Sequence, residues 1–113
     1  MTTDLPTVIE RFLKAEDDGD AEAVASCFRP EGVVLDEGRT RIGRQEIASW
    51  RREAAAAYRY TAAVTGEERL GRDAQKIVKH LEGDFPGGVA DLDYYFALKD
   101  DQIAALMIFQ QKG

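Results

Sequence analysis

The chain has 113 residues, 44% of them apolar and 32% charged, with a net charge of −6. That length holds one domain, residues 1–113, around one core, and the composition is that of an ordinary folded protein. An acidic chain is poorly suited to nucleic acid, its apolar runs are too short to span a membrane, and its start lacks the basic and apolar regions of a secretion signal. Cys27 is the single cysteine, so no internal disulfide is expected and a cytoplasmic location fits. His80 is the single histidine. One His and one Cys cannot build a zinc site, and no carboxylate cluster has metal-loop spacing, so neither metal nor cofactor is expected.

Leu5, Val8, Ile9, Phe12 and Leu13 recur at helical spacing and predict a first helix, capped by Thr3 or Asp4 and ended by Gly19. Asp20 then caps a short second helix with the stripe Ala21, Val24, Ala25 and Phe28, stopped by Pro30. Val33-Val34-Leu35 reads as a short strand ending at Asp36. Arg39, Arg41, Arg44, Arg51 and Arg52 are interleaved with Glu37, Glu46 and Glu53, the pattern of a solvated mixed surface. Gly43 opens a third helix with Ile47, Trp50, Ala54 and Ala57 on its apolar face. From Tyr58 the period becomes extended, giving strands near 58–70, 73–84, 90–99 and 102–110. Phe85-Pro-Gly-Gly88 suits a type II turn and Asp100-Asp101 a two-residue hairpin turn. Helices first and hairpins afterwards argue for α+β, with helices on one face of an antiparallel sheet.

Asp93 lies in Val89–Leu98, a run that otherwise reads as a buried strand. A carboxylate there is costly unless paired, hydrogen-bonded or protonated, so Asp93 is a candidate functional acid, or else a structurally bonded one. Asp36 stands at a strand end before Glu37-Gly38, where a turn aspartate is also common. A two-residue turn at Asp100-Asp101 pairs Leu98 with Ile103, Phe96 with Ala105 and Tyr94 with Met107. It sets Asp93 beside Ile108 and Tyr95 beside Leu106 on the other face. Both faces are largely apolar, so a second cover is needed beyond the helices, and a homodimer supplies it. A four-residue loop at Phe85–Gly88 places His80 opposite Asp93, and an odd loop or a bulge would reverse its face. Trp50 and Tyr95 are expected to line a pocket with Leu106 and Ile108, with Phe12 near its narrow end. Cys27, beside a packed stripe, is expected to be inert.

Three stretches carry a resemblance: Phe12 through Phe28 with Gly19-Asp20 at the centre, Gly43-Arg-Gln-Glu-Ile47, and Asp93 through Phe109. In this order and spacing the chain resembles the nuclear transport factor 2-like superfamily, and within it the ketosteroid isomerase and SnoaL-like branches. The resemblance covers nearly the whole chain. It implies a cone-shaped fold, a curved antiparallel sheet wrapped on three N-terminal helices around a cavity, with dimerisation through the outer sheet face. It implies that Asp36 corresponds to the isomerase's general base and Asp93 to its protonated oxyanion-hole acid. The chain departs from the isomerase at Phe12 and Arg51, where that pattern has tyrosines, and Phe cannot donate a hydrogen bond. The SnoaL-like cyclases imply acid–base roles that Asp36, His80 and Asp93 could supply. Two functions follow: an acid–base enzyme acting on a small apolar carbonyl compound, or a dimeric module that binds a small ligand or a protein without chemistry.

Overall fold

The computed structural model describes residues 5–111, in the order α1 (Thr7–Asp17), α2 (Ala21–Ser26), β1 (Phe28–Asp36), β2 (Arg39–Ile42), α3 (Arg44–Ala57), β3 (Tyr60–Gly71), β4 (Ala74–Gly83), β5 (Val89–Lys99) and β6 (Gln102–Gln110). The expected caps Thr3 and Asp4 lie outside the described residues. Helix α1 opens on Pro6, whose carbonyl accepts from the N–H groups of Ile9 and Glu10. It ends as the sequence predicts, with Gly19 at φ +69°. There Asp20 N–H reaches the Ala15 carbonyl and Gly19 N–H the Glu16 carbonyl, the paired bonds of a glycine-terminated helix. Asp20 then caps α2, accepting from Ala23 N–H at 3.0 Å.

Six strands form one curved sheet in the order β2-β1-β6-β5-β4-β3. Neighbours are antiparallel except β1 and β6, which run parallel, so the sheet is mixed where an antiparallel one was expected. Two elements differ from the sequence reading at the N-terminal side. Phe28 and Pro30 belong to β1 and not to the end of a helix, and the Arg39–Ile42 stretch, read only as charged surface, is the short edge strand β2. Pro is tolerated in β1 because Arg29–Gly32 bulges out of register against β6.

The last hairpin decides which residues face the helices. Asp100 and Asp101 take φ of +52° and +62°, the two-residue turn that the sequence predicts, and Leu98 pairs with Ile103. Ala104 is then an extra residue in β6, and beyond it Ala97 pairs with Ala105, Phe96 with Leu106, Tyr94 with Ile108 and Asp93 with Phe109. This bulge moves the β6 residues beyond it to the face opposite the expected one, while β5 keeps its alternation. Tyr94, Phe96, Leu106 and Ile108 turn inward and join Ile9, Phe12, Phe28, Val34, Ile47 and Ile77 in the core. Asp93, Tyr95, Met107 and Phe109 face outward.

The β4–β5 turn has the predicted type II form. Gly88 N–H donates to the Phe85 carbonyl and Gly87 takes φ +89°. Its loop is two residues longer than expected, with Glu82 and not Asp84 opposite Val89. An even shift preserves the faces, so His80 meets Asp91 and Val78 meets Asp93.

A candidate pocket beside a buried ion cluster

Asp36 is set by local geometry. The Glu37-Gly38 turn, with φ of +53° and +74°, folds β2 back so that Asp36 pairs with Arg39. The parallel register places Asp36 beside Ile108, on the inner side of the sheet. Trp50, one helical turn after the buried Ile47, donates its indole N–H to Asp36 Oδ2 at 2.9 Å. A half-buried carboxylate is thereby oriented by a residue that is itself fully packed.

Asp36 and Trp50 open on a cavity of about 530 Å³ whose further walls include Ala54 and Ala57 of α3, Tyr60, Leu81, Tyr94, Ile108 and the turn residues Phe85 and Pro86. That is the size and mainly apolar character of a small-molecule site. A second cavity of about 500 Å³ shares Arg51, Tyr58, Tyr60, Leu81 and Tyr94 with the first, and adds Glu16 and Lys79.

Between the two cavities lies a cluster that sequence reasoning largely missed. Glu16 of α1 accepts from Lys79 of β4 at Oε1 (2.5 Å) and from Tyr94 of β5 at Oε2 (3.1 Å), and its Oε2 is ion-paired with Arg51 of α3 (3.2 Å). Arg51 also donates to the Tyr60 hydroxyl oxygen at 3.2 Å and lies 5.2 Å from the centre of the Trp50 ring. Glu16, Arg51 and Lys79 are all buried. Burial of Arg51 works against its charge, yet Glu16 and the Tyr60 hydroxyl outweigh it and hold the guanidinium above its usual range. Burial, and then the Glu16 charge, raise the Tyr94 phenol well above the ordinary value, so it stays a neutral donor. Because Tyr60 accepts from Arg51, its own O–H is left to donate into the cavity.

The candidates chosen from sequence divide sharply. Asp36, Trp50 and Ile108 line the larger cavity. Phe12 and Leu106 are fully buried, but as packed core and not cavity wall. Phe12 sits edge-on to Phe28, Tyr94 and Phe96, with ring centres 5.3 to 6.3 Å apart. Asp93 and Tyr95 are corrections. β5 alternates regularly and turns Tyr94 and Phe96 inward, so both lie on the outer face, where Asp93 accepts from Gln111 Nε2 at 2.7 Å and the Tyr95 ring lies edge-on to Phe109. His80 is also outside, between Asp91 (Nδ1 to Oδ1, 2.7 Å) and Glu82 (Nε2 to Oε2, 2.9 Å). Asp36, His80 and Asp93 therefore do not converge. Arg51 is a further correction: read with its neighbours as solvated surface, it is buried and pairs with Glu16 of α1. Cys27 is buried, its thiol pushed up by desolvation, and unsuited to nucleophilic chemistry.

The missed residues did leave signals. Glu16 extends the apolar stripe Ile9–Phe12 by one further turn, and Lys79 stands between Ile77 and Leu81 on the inward alternation of β4. A charge on an apolar period marks a buried partner.

Comparison with known proteins places this geometry. No protein-family model matches the chain, and no curated protein sequence does either. A solved structure of a proposed polyketide cyclase from Sinorhizobium meliloti is 33% identical, with a TM-score of 0.88 over 94% of this chain and 96% of that one. The chain belongs to the nuclear transport factor 2-like superfamily, in its SnoaL-like branch. A protein with a ketosteroid isomerase-like fold from Catenulispora acidiphila, solved with trimethylamine, shares the fold at 18% identity and TM-score 0.81, over 92% of this chain and 85% of that one. So does a nuclear transport factor 2-like protein of unknown function from Cytophaga hutchinsonii, at 12% identity and TM-score 0.76, over 98% and 95%. Among the described residues of this SnoaL-like chain, no helix is long and apolar enough to cross a membrane.

Proposed function

We propose that this SnoaL-like protein binds a small, mostly apolar carbonyl compound in the Asp36 cavity and moves a proton on it. One observation carries the reading: a carboxylate oriented by the Trp50 indole on the wall of a mainly apolar cavity of about 530 Å³. Asp36 takes a proton from the carbon next to the carbonyl. The electron pair released moves onto the carbonyl oxygen, which accepts a hydrogen bond from the Tyr60 hydroxyl. Asp36 then returns the proton at another carbon, as in an isomerisation, or the enolate carbon attacks a second carbonyl whose oxygen takes the proton back from Asp36, as in a ring closure. The description of the Sinorhizobium relative as a proposed cyclase supports this class of chemistry. Steroid isomerisation by the familiar network is disfavoured, because Phe12 offers no donor and Asp93 faces away from the cavity.

The test is α-proton exchange of 2-tetralone in heavy water, followed by NMR. The wild-type protein should accelerate exchange and Asp36→Asn should lose about a hundredfold or more of that acceleration. Equal rates for the two proteins would sink the role of Asp36. A protein that binds 2-tetralone without accelerating exchange would be the non-catalytic ligand-binding module, the reading favoured by the missing donor at Phe12.

The outer sheet face supports a homodimer. Tyr95, Met107 and Phe109 form an apolar surface there, and Met107 and Phe109 are 42% and 48% exposed. A second copy of the chain seated on this face would bury them. Sedimentation should give twice the chain mass for wild type and one chain mass for Phe109→Glu. A wild-type monomer would remove the proposal. The single buried thiol suits a reducing, cytoplasmic setting.

A further inference from the structure

Among the described residues, the buried charged side chains are Glu16, Arg51 and Lys79. They carry one negative and two positive charges, a surplus of one cation. Glu16 is fully engaged: Lys79 occupies Oε1, and Arg51 and Tyr94 occupy Oε2. Lys79 has three N–H groups, of which one meets Glu16, and its ammonium otherwise lies 5.5 Å from the centre of the Tyr94 ring. A buried charge without a counter-ion is costly unless something of opposite sign reaches it. Both cations line the smaller cavity, and Arg51 lines the larger one as well. At the rim of the smaller cavity the exposed Asp17 and Arg59 oppose each other in sign and leave the surplus unchanged. Asp36 lines the larger cavity and Lys79 only the smaller, so an anionic group is repelled by the Asp36 carboxylate and drawn to the Lys79 side of Arg51.

We infer that the ligand is itself an anion, a carboxylic acid whose carboxylate sits against Lys79 and Arg51 while its apolar body lies in the Asp36 cavity. This rests on the pocket reading above and names its ligand class. The carboxylate completes the charge of the Glu16 cluster, and its hydrogen bonds to two cations are of the charge-assisted kind.

Trp50 is the chain's one tryptophan and lines the larger cavity, so its fluorescence reports occupancy. The probes are two matched pairs, 3-phenylpropionate with 3-phenylpropionamide and octanoate with octanamide. In the wild-type protein each carboxylate should bind at least about tenfold more tightly than its amide. Lys79→Met, which leaves a balanced Glu16–Arg51 pair, should reduce that preference to within about twofold, and Asp36→Asn should retain it. Equal binding of acid and amide to the wild type would overturn the inference while leaving the pocket reading intact. A preference undiminished in a folded Lys79→Met would overturn it too. If neither member of either pair perturbs Trp50, the inference and the pocket reading fall together. The wild-type comparison decides the matter alone if Lys79→Met does not fold.

Discussion

Replacing Glu16 by Gln should destabilise this protein more than a typical single change, because the residue is the only buried carboxylate among the described residues and faces two buried cations. Gln keeps the shape and one acceptor for the Tyr94 hydroxyl but removes the charge shared by Lys79 and Arg51. Breaking a buried pair by deleting one partner costs about 3–5 kcal/mol, since the other charge is left uncompensated. A domain of this size has about 5–15 kcal/mol in all. At about 4 °C per kcal/mol, the loss corresponds to a fall in Tm of about 12–20 °C. Urea unfolding followed by far-UV circular dichroism measures it directly. Adding Lys79→Met to Glu16→Gln removes one of the two orphaned cations and should recover part of the loss, whereas two independent sites would give additive costs. A cost below about 1 kcal/mol for Glu16→Gln, the range of an exposed ion pair, would refute the reasoning.

Two further outcomes follow from local geometry. His80 is held above its ordinary value of 6.5 by its hydrogen bond to Asp91, then by that to Glu82. A raised folded-state value means the contribution to stability is fully present below about 6.5 and fades as pH rises through the folded value. Urea midpoints at about pH 6 and about pH 8.5 should therefore differ more for wild type than for His80→Gln, and identical differences would contradict the pairing. Gly83 pairs with Tyr60, and a Cβ added there would collide with the Arg59 carbonyl oxygen. Gly83→Ala should cost about 1–3 kcal/mol by forcing β3 away from β4, measured as a lower urea midpoint, and an unchanged midpoint would show that the strand yields freely.

Much of the fold was legible because local signals agreed with tertiary ones. Gly19-Asp20 ends one helix and caps the next, and Gly43, Pro86-Gly87 and Asp100-Asp101 each punctuate the chain as their chemistry demands. The candidate site was half legible. Asp36 and Trp50 follow from positions along β1 and α3, whereas Asp93 and Tyr95 were placed in the pocket with Leu106 and Ile108 through a register carried by one hairpin. A single bulge at Ala104 turned that register over. The sequence did hold a hint. Ile103, Leu106 and Ile108 cannot share one face of a regular strand, because 103 and 106 differ by an odd number. All three are buried, which requires an extra residue between them. The Glu16–Lys79–Arg51 cluster was hidden for another reason. Its members lie far apart in sequence on α1, β4 and α3, and only the packing of helix on sheet brings them together.

The most direct test of the central claim, that the Asp36–Trp50 cavity is where the ligand binds, is a titration with 2-tetralone followed by the single indole N–H resonance of Trp50. The account predicts a saturable shift of that signal, altered in Asp36→Asn, while the backbone amides of Tyr95 and Met107 on the outer face stay in place. A silent Trp50, or shifts confined to the outer face, would contradict it.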